Sequence, residues 1–255
     1  MNNFFDKIYV LSLITNKERQ EFIKYQFSQL GLEFEFIYGT DFYNFNDLVW
    51  PDPYRRGQKD GTNTAKDFGC AITHYNAVMQ AYHQYYNNVL IFEDDICLHK
   101  NFIDVLNFDS IPSDADFVTF DFRKVYNYEE QEYIDAINAN YDFPYLKIKD
   151  YDYFYGGMAY AFMNNKTMGY YLNSQHKYFV QSDLVYGIWK DTNADINIYI
   201  PTKCIGISQG FYNDVFYNND YSYKPSYDNM FFRCGNYNSE DFFEPQFIHI
   251  DSRRK

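Results

Sequence analysis

A strand–helix–strand unit at the start of the chain is the feature that most restricts its fold. Residues 7–13 are largely apolar and rich in β-forming side chains, which is typical of a strand. A helix should follow, because Ile23, Phe27 and Leu30 recur on one face and a glycine comes directly after them. Residues 33–38 then alternate as a second strand. This order predicts parallel pairing with a right-handed crossover, and therefore an α/β fold.

The first helix has a recognisable start. Thr15 and Glu18 have the spacing of a capping box, in which Thr15 caps the helix and Glu18 reaches back to it. Arg19 lies in the first turn, where a cation opposes the helix dipole. A positive charge there can serve a diphosphate near the strand ends, or it can be an ordinary exposed arginine. Position alone leaves both interpretations open.

A second apolar segment ends in three consecutive carboxylates. Residues 89–92 are apolar without a break, and Glu93, Asp94 and Asp95 follow. In an open α/β sheet, ligands sit outside the carboxyl ends of the strands. Adjacent carboxylates repel each other unless a cation neutralises them, and in extended backbone Glu93 and Asp95 point away from Asp94. That pair could hold one hard metal ion, but the motif alone is explained equally by a strand that ends in a solvated acidic turn.

Five further residues are candidates for a site. His74 falls on the buried face of a helix that leads into the acidic strand, where it is either a core histidine or a site contact. Asp121 ends another short apolar strand, and Gly156 and Gly157 would let backbone approach a ligand closely. Asp183 begins a later helix, and helix capping alone is a sufficient explanation for it.

Composition narrows the class of function. A chain of 255 residues, 46% of them hydrophobic, can bury a sizeable core. The formal net charge of −13 argues against nonspecific binding to nucleic acid or to an anionic membrane. The four cysteines form no CxxC pair, which favours reduced thiols over a disulfide scaffold or a zinc site. With no signal peptide and no long apolar run, we expect a cytoplasmic protein without a transmembrane segment; its oligomeric state is not indicated.

The sequence predicts one main domain and a tail. Periodic patterns run through residues 1–210 with no interdomain linker. Residues 211–255 are rich in Tyr and Asn and lose that periodicity. We expect this extension to pack on the domain or to be partly disordered.

Several of these segments, in their order, resemble glycosyltransferase family 25, the group that contains lipooligosaccharide and collagen galactosyltransferases. The similarity runs from the first strand through the Gly-Cys-Ala-Ile-Thr-His segment at residues 69–74 to the acidic strand at residues 89–95. It continues through the glycine-containing strand at residues 156–160 to Asp183. Thr73 stands where serine is usual in the family, and Gln181-Ser182 stand where proline often precedes the later aspartate.

The resemblance implies a GT-A-like domain: a mostly parallel central sheet flanked by helices, with a Rossmann-like nucleotide-binding half. It also implies a UDP-sugar donor (UDP-galactose or UDP-glucose), Mn²⁺ or Mg²⁺, and inverting transfer of the hexose. The acceptor would be a glycan, a lipooligosaccharide or a hydroxylysine-type protein. One alternative is a catalytically silent module that binds nucleotide sugar or carbohydrate. Another is a nucleotidyltransferase, although the chain has no glycine-rich phosphate loop.

The resemblance also suggests roles for particular residues. Asp95 with Glu93 would bind the metal, and Asp183, or failing that Asp121, would be the catalytic base that takes the acceptor proton. The predicted contacts to the donor and its metal are Leu13, Thr15, Arg19, His74, Glu93, Asp94, Gly156, Gly157 and Gln209.

Overall fold

The structure is a computed structural model, and it describes most of the chain in several stretches. The described residues are 4–41, 50–51, 62–63, 65–120, 124–125, 131, 134–135, 138, 145–148, 154–155, 158–179, 185–186, 189, 192, 194–209 and 238–245. No helix among them is both long enough and apolar enough to cross a bilayer.

Strands outnumber helices in the described part of the chain. The strands are β1 (Lys7–Leu13), β2 (Glu35–Gly39), β3 (Trp50–Pro51), β4 (Thr62–Asn63), β5 (Val89–Glu93), β6 (Ile96–Leu98), β7 (Phe117–Thr119), β8 (Lys124–Val125), β9 (Tyr145–Lys147), β10 (Phe154–Tyr155), β11 (Ala159–Phe162), β12 (Ile198–Pro201) and β13 (Gly206–Ser208). The helices are α1 (Lys17–Leu30), α2 (Ala65–His83), α3 (Phe102–Leu106) and α4 (Asn165–Tyr178).

A seven-stranded sheet forms the centre of the fold, in the order β2-β1-β5-β11-β7-β12-β9. β1 pairs in parallel with both β2 and β5, and β7 pairs in parallel with β12. β11 is antiparallel to both of its neighbours, and β9 is antiparallel to β12. Five of these seven strands therefore run in one direction. The predicted α/β class, with a mostly parallel sheet flanked by helices, is confirmed and is compatible with a GT-A-like domain.

The opening strand–helix–strand unit forms as predicted, with one correction at the helix start. Helix α1 ends before Gly31, whose φ of 64° suits a residue without a side chain. The capping box at Thr15 is wrong, because the N-cap residue is Asn16 and its side chain makes no capping hydrogen bond. The Asn16 amide instead donates to Asp94, 3.2 Å away, so a long-range contact takes the place of the local cap.

The two faces of the sheet are covered by different helices. Phe27 of α1 packs edge-on against Phe92, with ring centroids 5.7 Å apart. On the opposite face, His74 of α2 lies against Tyr160, which is the register partner of Ile91. Successive residues of a strand point to opposite faces, so neighbouring side chains at the end of β5 approach different helices.

The buried face of α2 is only partly where helical spacing predicts it. His74 is buried, with 1% of its surface exposed. Cys70, one turn earlier on the same face, is exposed, and so is Tyr85, which lies beyond the last helical residue, His83. Periodicity identifies which face of a helix is apolar. Neighbouring elements determine how much of that face is buried.

Part of the C-terminal extension packs on the domain. Phe242 bridges to His99, and the Phe243 N–H donates to the Leu98 carbonyl at 2.9 Å. Both phenylalanines are buried and belong to the hydrophobic core. The predicted boundary at residue 210 stays a prediction.

Gly39, at the end of β2, allows α2 to approach the sheet closely. A Cβ atom there would overlap Oγ1 of Thr73, the residue before His74. We expect Gly39→Ala to lower the free energy of unfolding by about 1–3 kcal/mol, as overpacking usually does. Urea denaturation measures this.

The double variant Gly39→Ala/Thr73→Ala removes the overlapping oxygen. Its loss of unfolding free energy should be smaller than the sum of the losses in the two single variants. A single Gly39→Ala variant within about 0.5 kcal/mol of the parent would contradict the close approach.

Candidate functional site

The candidate site lies at the carboxyl ends of β1 and β5. These strands are parallel neighbours, with Leu11 in register with Glu93. Because both strands end at the same edge of the sheet, the β1–α1 loop and the acidic run meet there. Both features were predicted separately from the sequence, and the fold brings them together.

The Asp94 carboxylate is the centre of a buried hydrogen-bond network. Its Oδ2 accepts from Ser12 Oγ at 2.6 Å and from Asn16 Nδ2 at 3.2 Å. Its Oδ1 accepts from Arg19 Nη1 at 2.9 Å. Only 5% of the residue is exposed. Asp94 therefore joins the acidic turn to the β1–α1 loop and to the first turn of α1, with both oxygens engaged by the protein.

The β1–α1 loop is held by a second buried side chain. Nε2 of Gln20 donates to the Leu13 carbonyl at 2.7 Å and to Ser12 Oγ at 3.3 Å. The Lys17 N–H donates to the Thr15 carbonyl at 2.9 Å, which shapes the turn. Leu13 is half-buried and Thr15 is exposed, so this rim of the site faces solvent.

Arg19 is a permanent positive charge at this edge. Burial opposes its ionisation, but the carboxylates of Asp95, Asp94 and Glu93 outweigh that effect and raise the pKa of the guanidinium. Its side chain is 22% exposed. The edge thus combines three carboxylates with one fixed cation.

Gln209, which follows β13, contacts the acidic turn. It is fully buried, its N–H donates to the Asp95 carbonyl at 2.6 Å, and its Nε2 donates to the Asp94 carbonyl at 3.3 Å. Within the described part of the chain, its Oε1 accepts no hydrogen bond. Gln209 therefore lies beside the acidic turn, and its predicted contact with the donor stays a prediction.

On the opposite face of the sheet, Glu93 meets α2. Its Oε1 lies 3.0 Å from His74 Nε2 and accepts from the Cys70 thiol at 3.7 Å. His74 Nδ1 is 2.6 Å from the Tyr160 hydroxyl, and burial raises the pKa of that phenol well above its usual value. The phenol is therefore neutral, and the His74 ring is held between it and Glu93.

Several residues that contact the site were not among its predicted members. Ser12, Asn16, Gln20, Cys70 and Tyr160 contact the candidate residues, but each is an ordinary residue type within its own segment. A usable signal was the spacing of Cys70 and His74, which puts both on one face of a helix.

Four predicted site residues belong to other parts of the chain. Asp121, Gly156, Gly157 and Asp183 lie outside the described residues. Their proposed roles stay predictions.

The donors at this edge suit a divalent metal in part. Glu93 and Asp95 are both partly exposed, and carboxylate oxygens are the ligands that Mn²⁺ and Mg²⁺ prefer. Asp94 does not suit direct coordination, because Ser12, Asn16 and Arg19 already engage both of its oxygens. Glu93 and Asp95 stay the predicted ligands of a hard metal.

Comparison with known proteins identifies the family. The model of "Glycosyltransferase family 25 (LPS biosynthesis protein)" matches residues 5–185, more than half of the chain. The chain belongs to glycosyltransferase family 25. The matched residues include both strands that bring the site together and the acidic run itself.

A curated relative points in the same direction. A Haemophilus influenzae protein named "Putative glycosyltransferase" is 31% identical over 124 residues, which are 45% of this chain and 41% of the relative. The match thus spans less than half of the relative's length. Family and relative together support a glycosyl-transfer function.

The network around Asp94 can be tested by stability. We expect Asp94→Ala to lower the free energy of unfolding by about 2–4 kcal/mol, because Arg19 would remain partly buried without its partner. Thermal or urea unfolding measures this.

Glu21→Ala is the matched control. Glu21 pairs with Lys24 on the exposed surface of α1, the helix that also carries Arg19. Its substitution should lower the free energy of unfolding by less than about 0.5 kcal/mol. Equal effects of the two substitutions would disprove the special role of Asp94.

Proposed function

We propose that this protein is an inverting, metal-dependent glycosyltransferase. It would move galactose or glucose from a UDP-sugar to a glycan, a lipooligosaccharide or a hydroxylysine-type acceptor. Family membership supports the class of reaction. The donor, the metal and the stereochemistry go beyond that and are proposals.

The convergence of Arg19, the β1–α1 loop and the acidic run is the observation that carries the proposal. Parallel strands β1 and β5 end at one edge, where α/β sheets bind ligands. A nucleoside diphosphate needs backbone and polar groups for the nucleoside, and positive charge for the phosphates. The solvent-facing rim at Leu13 and Thr15 and the guanidinium of Arg19 supply these types of group.

Asp94 would act as a positioning residue rather than as a ligand. Its bond to Arg19 Nη1 aims the guanidinium, and its bonds to Ser12 and Asn16 fix the loop. The donor site would then be formed before the donor binds, which lowers the entropic cost of ordering it.

Glu93 and Asp95 would hold the metal. When bound, Mn²⁺ or Mg²⁺ supplies positive charge against the departing diphosphate. Gln209 supports the turn that carries the Asp95 carboxylate through two hydrogen bonds, one to the Asp95 carbonyl and one to the Asp94 carbonyl.

The catalytic base would be Asp183, with Asp121 as the second candidate. The base takes the proton from the acceptor hydroxyl as that oxygen bonds to the anomeric carbon and the bond to the UDP oxygen breaks. Attack from the face opposite UDP inverts the anomeric centre. A base at a helix start needs burial to offset the helix dipole, which lowers a carboxyl pKa.

A nucleotide-sugar panel tests the proposal. We expect UDP release from one donor in the presence of Mn²⁺ or Mg²⁺ and none with a chelator, and Asp95→Asn should lower the rate roughly 100-fold or more. Coupled detection of UDP measures the rate. Asp109→Asn, at an exposed position away from the site, should leave it unchanged.

The same panel separates the alternatives. Donor binding without release of any nucleotide would favour a silent binding module, and release of pyrophosphate would indicate a nucleotidyltransferase. Full activity of Asp95→Asn would refute the proposed metal role.

The base can be identified by kinetics. We expect Asp183→Asn to lower kcat roughly 10²–10⁴-fold with little change in donor KM, because the base acts only in the transition state. Asp195→Asn is an exposed control that should behave like the parent. If Asp121→Asn shows the large loss and Asp183→Asn does not, the role belongs to Asp121.

A further inference from the structure

Cys70, His74 and Glu93 form a cluster whose donor atoms do not suit Mn²⁺ or Mg²⁺. One sulfur, one ring nitrogen and one carboxylate oxygen lie within 4.8 Å of one another. Thiolate and imidazole are typical ligands of zinc, whereas Mn²⁺ and Mg²⁺ prefer oxygen. We propose that Cys70, His74 and Glu93 bind a zinc ion through Sγ, Nε2 and Oε1.

The separations between the donor atoms fit tetrahedral coordination. With Zn–S of about 2.3 Å and Zn–O of about 2.1 Å, a tetrahedral ion separates sulfur from oxygen by about 3.6 Å. Sγ of Cys70 and Oε1 of Glu93 are 3.7 Å apart. The same geometry separates nitrogen from oxygen by about 3.4 Å, and the observed distance from His74 Nε2 is 3.0 Å. The third pair, Sγ of Cys70 and Nε2 of His74, lies within 4.8 Å, whereas tetrahedral geometry separates sulfur from nitrogen by about 3.6 Å. Side-chain rotation would have to close this difference for all three donors to reach one ion.

Secondary structure holds the three side chains in place. Cys70 and His74 are four residues apart on α2, so they project from one helix face. Glu93 is the last residue of β5 and lies on the sheet face that α2 covers. A sequence search for paired cysteines misses such a site, because its third ligand comes from a different element.

Tyr160 provides the outer contact that a metal-bound histidine requires. With Nε2 on the metal, the other ring nitrogen carries its proton and donates to the Tyr160 oxygen, 2.6 Å away. The two rings also stack, with centroids 5.6 Å apart. Burial keeps the phenol neutral, so this contact fixes the orientation of the imidazole.

The ion would have one open coordination position. Three protein ligands and a fourth position for water or another oxygen ligand is the usual composition of a reactive zinc site. His74 is buried, whereas Cys70 is exposed and Glu93 is partly exposed, so the cluster opens toward solvent on the Cys70 side. An oxygen anion such as phosphate is the class of ligand that this position would accept.

The zinc cluster and the Glu93–Asp95 pair are different sites that share one residue. Cys70 and His74 belong only to the cluster, and Asp95 belongs only to the pair. The zinc proposal does not depend on glycosyl transfer, and substitutions outside Glu93 separate the two sites.

Metal content and cobalt absorption test the cluster without an activity assay. We expect the purified full chain to retain about one zinc ion, and Co²⁺ in its place to give the near-ultraviolet charge-transfer absorption of a thiolate–cobalt bond. Cys70→Ser should abolish that absorption and His74→Gln should remove most of the zinc. Asp95→Asn and His83→Gln, an exposed histidine on the same helix, should leave both unchanged.

A further variant tests the outer contact. Tyr160→Phe should weaken zinc binding roughly 10–100-fold while the Cys70-dependent cobalt absorption remains at saturating Co²⁺. Chelator competition measures the affinity.

Three outcomes would overturn the proposal. The first is a folded parent protein, judged by circular dichroism, that binds neither zinc nor cobalt; the cluster would then be hydrogen-bonded only. The second is cobalt–thiolate absorption that survives Cys70→Ser, which would assign it to another cysteine. The third is its loss in Asp95→Asn, which would assign the ion to the acidic turn. Because Cys70 is exposed, its substitution is not expected to unfold the chain.

Discussion

The ion pair between Asp94 and Arg19, with its hydrogen bonds to Ser12 and Asn16, is the interaction on which the site depends. It connects residues that are more than seventy positions apart in sequence and closes the end of the sheet where the substrate is proposed to bind. A buried carboxylate is stable only when its oxygens are engaged, so the acidic turn and the loop cannot move independently without a large energetic cost. Asp94 thus restrains the loop at the end of the sheet.

The end of β5 and the turn that follows it place three adjacent carboxylates in different environments. Asp94 faces α1 and supports the loop, while Glu93 faces α2 and meets a histidine and a thiol. Three neighbouring negative charges would repel one another if they shared one pocket. Their separation across the sheet allows the motif to combine a structural carboxylate with carboxylates that remain suited to binding a cation.

Local sequence patterns predicted many of the strands and helices. Contacts between residues far apart in sequence could not be predicted from those patterns. Neighbouring residues determine the strands β1 and β5 and the helix end at Gly31, so these features could be predicted from the sequence. The predicted cap at Thr15 was wrong: Asn16 is the N-cap residue, and its side chain donates to Asp94, which is far away in sequence. In the site, the prediction that Glu93 and Asp94 point apart assumed extended backbone, whereas residues 94 and 95 form a turn after β5. The two side chains do meet different helices, but their partners His74 and Ser12 could not be assigned from local sequence. Such contacts depend on which strands become neighbours.

The position of β11 has a consequence for how the chain folds during synthesis. This strand is the fourth of the seven in the sheet, and it pairs on one side with β5 and on the other with β7. β7 ends at Thr119 and β11 begins at Ala159, about forty residues later. At roughly 5–20 residues per second, a ribosome needs several seconds to add them. During that time β5 has an open edge and β7 has neither of its sheet partners, because β11 and β12 both follow it in the chain. The nascent protein therefore holds the three-stranded β2-β1-β5 part of the sheet with one edge open to aggregation and to chaperones until β11 is added.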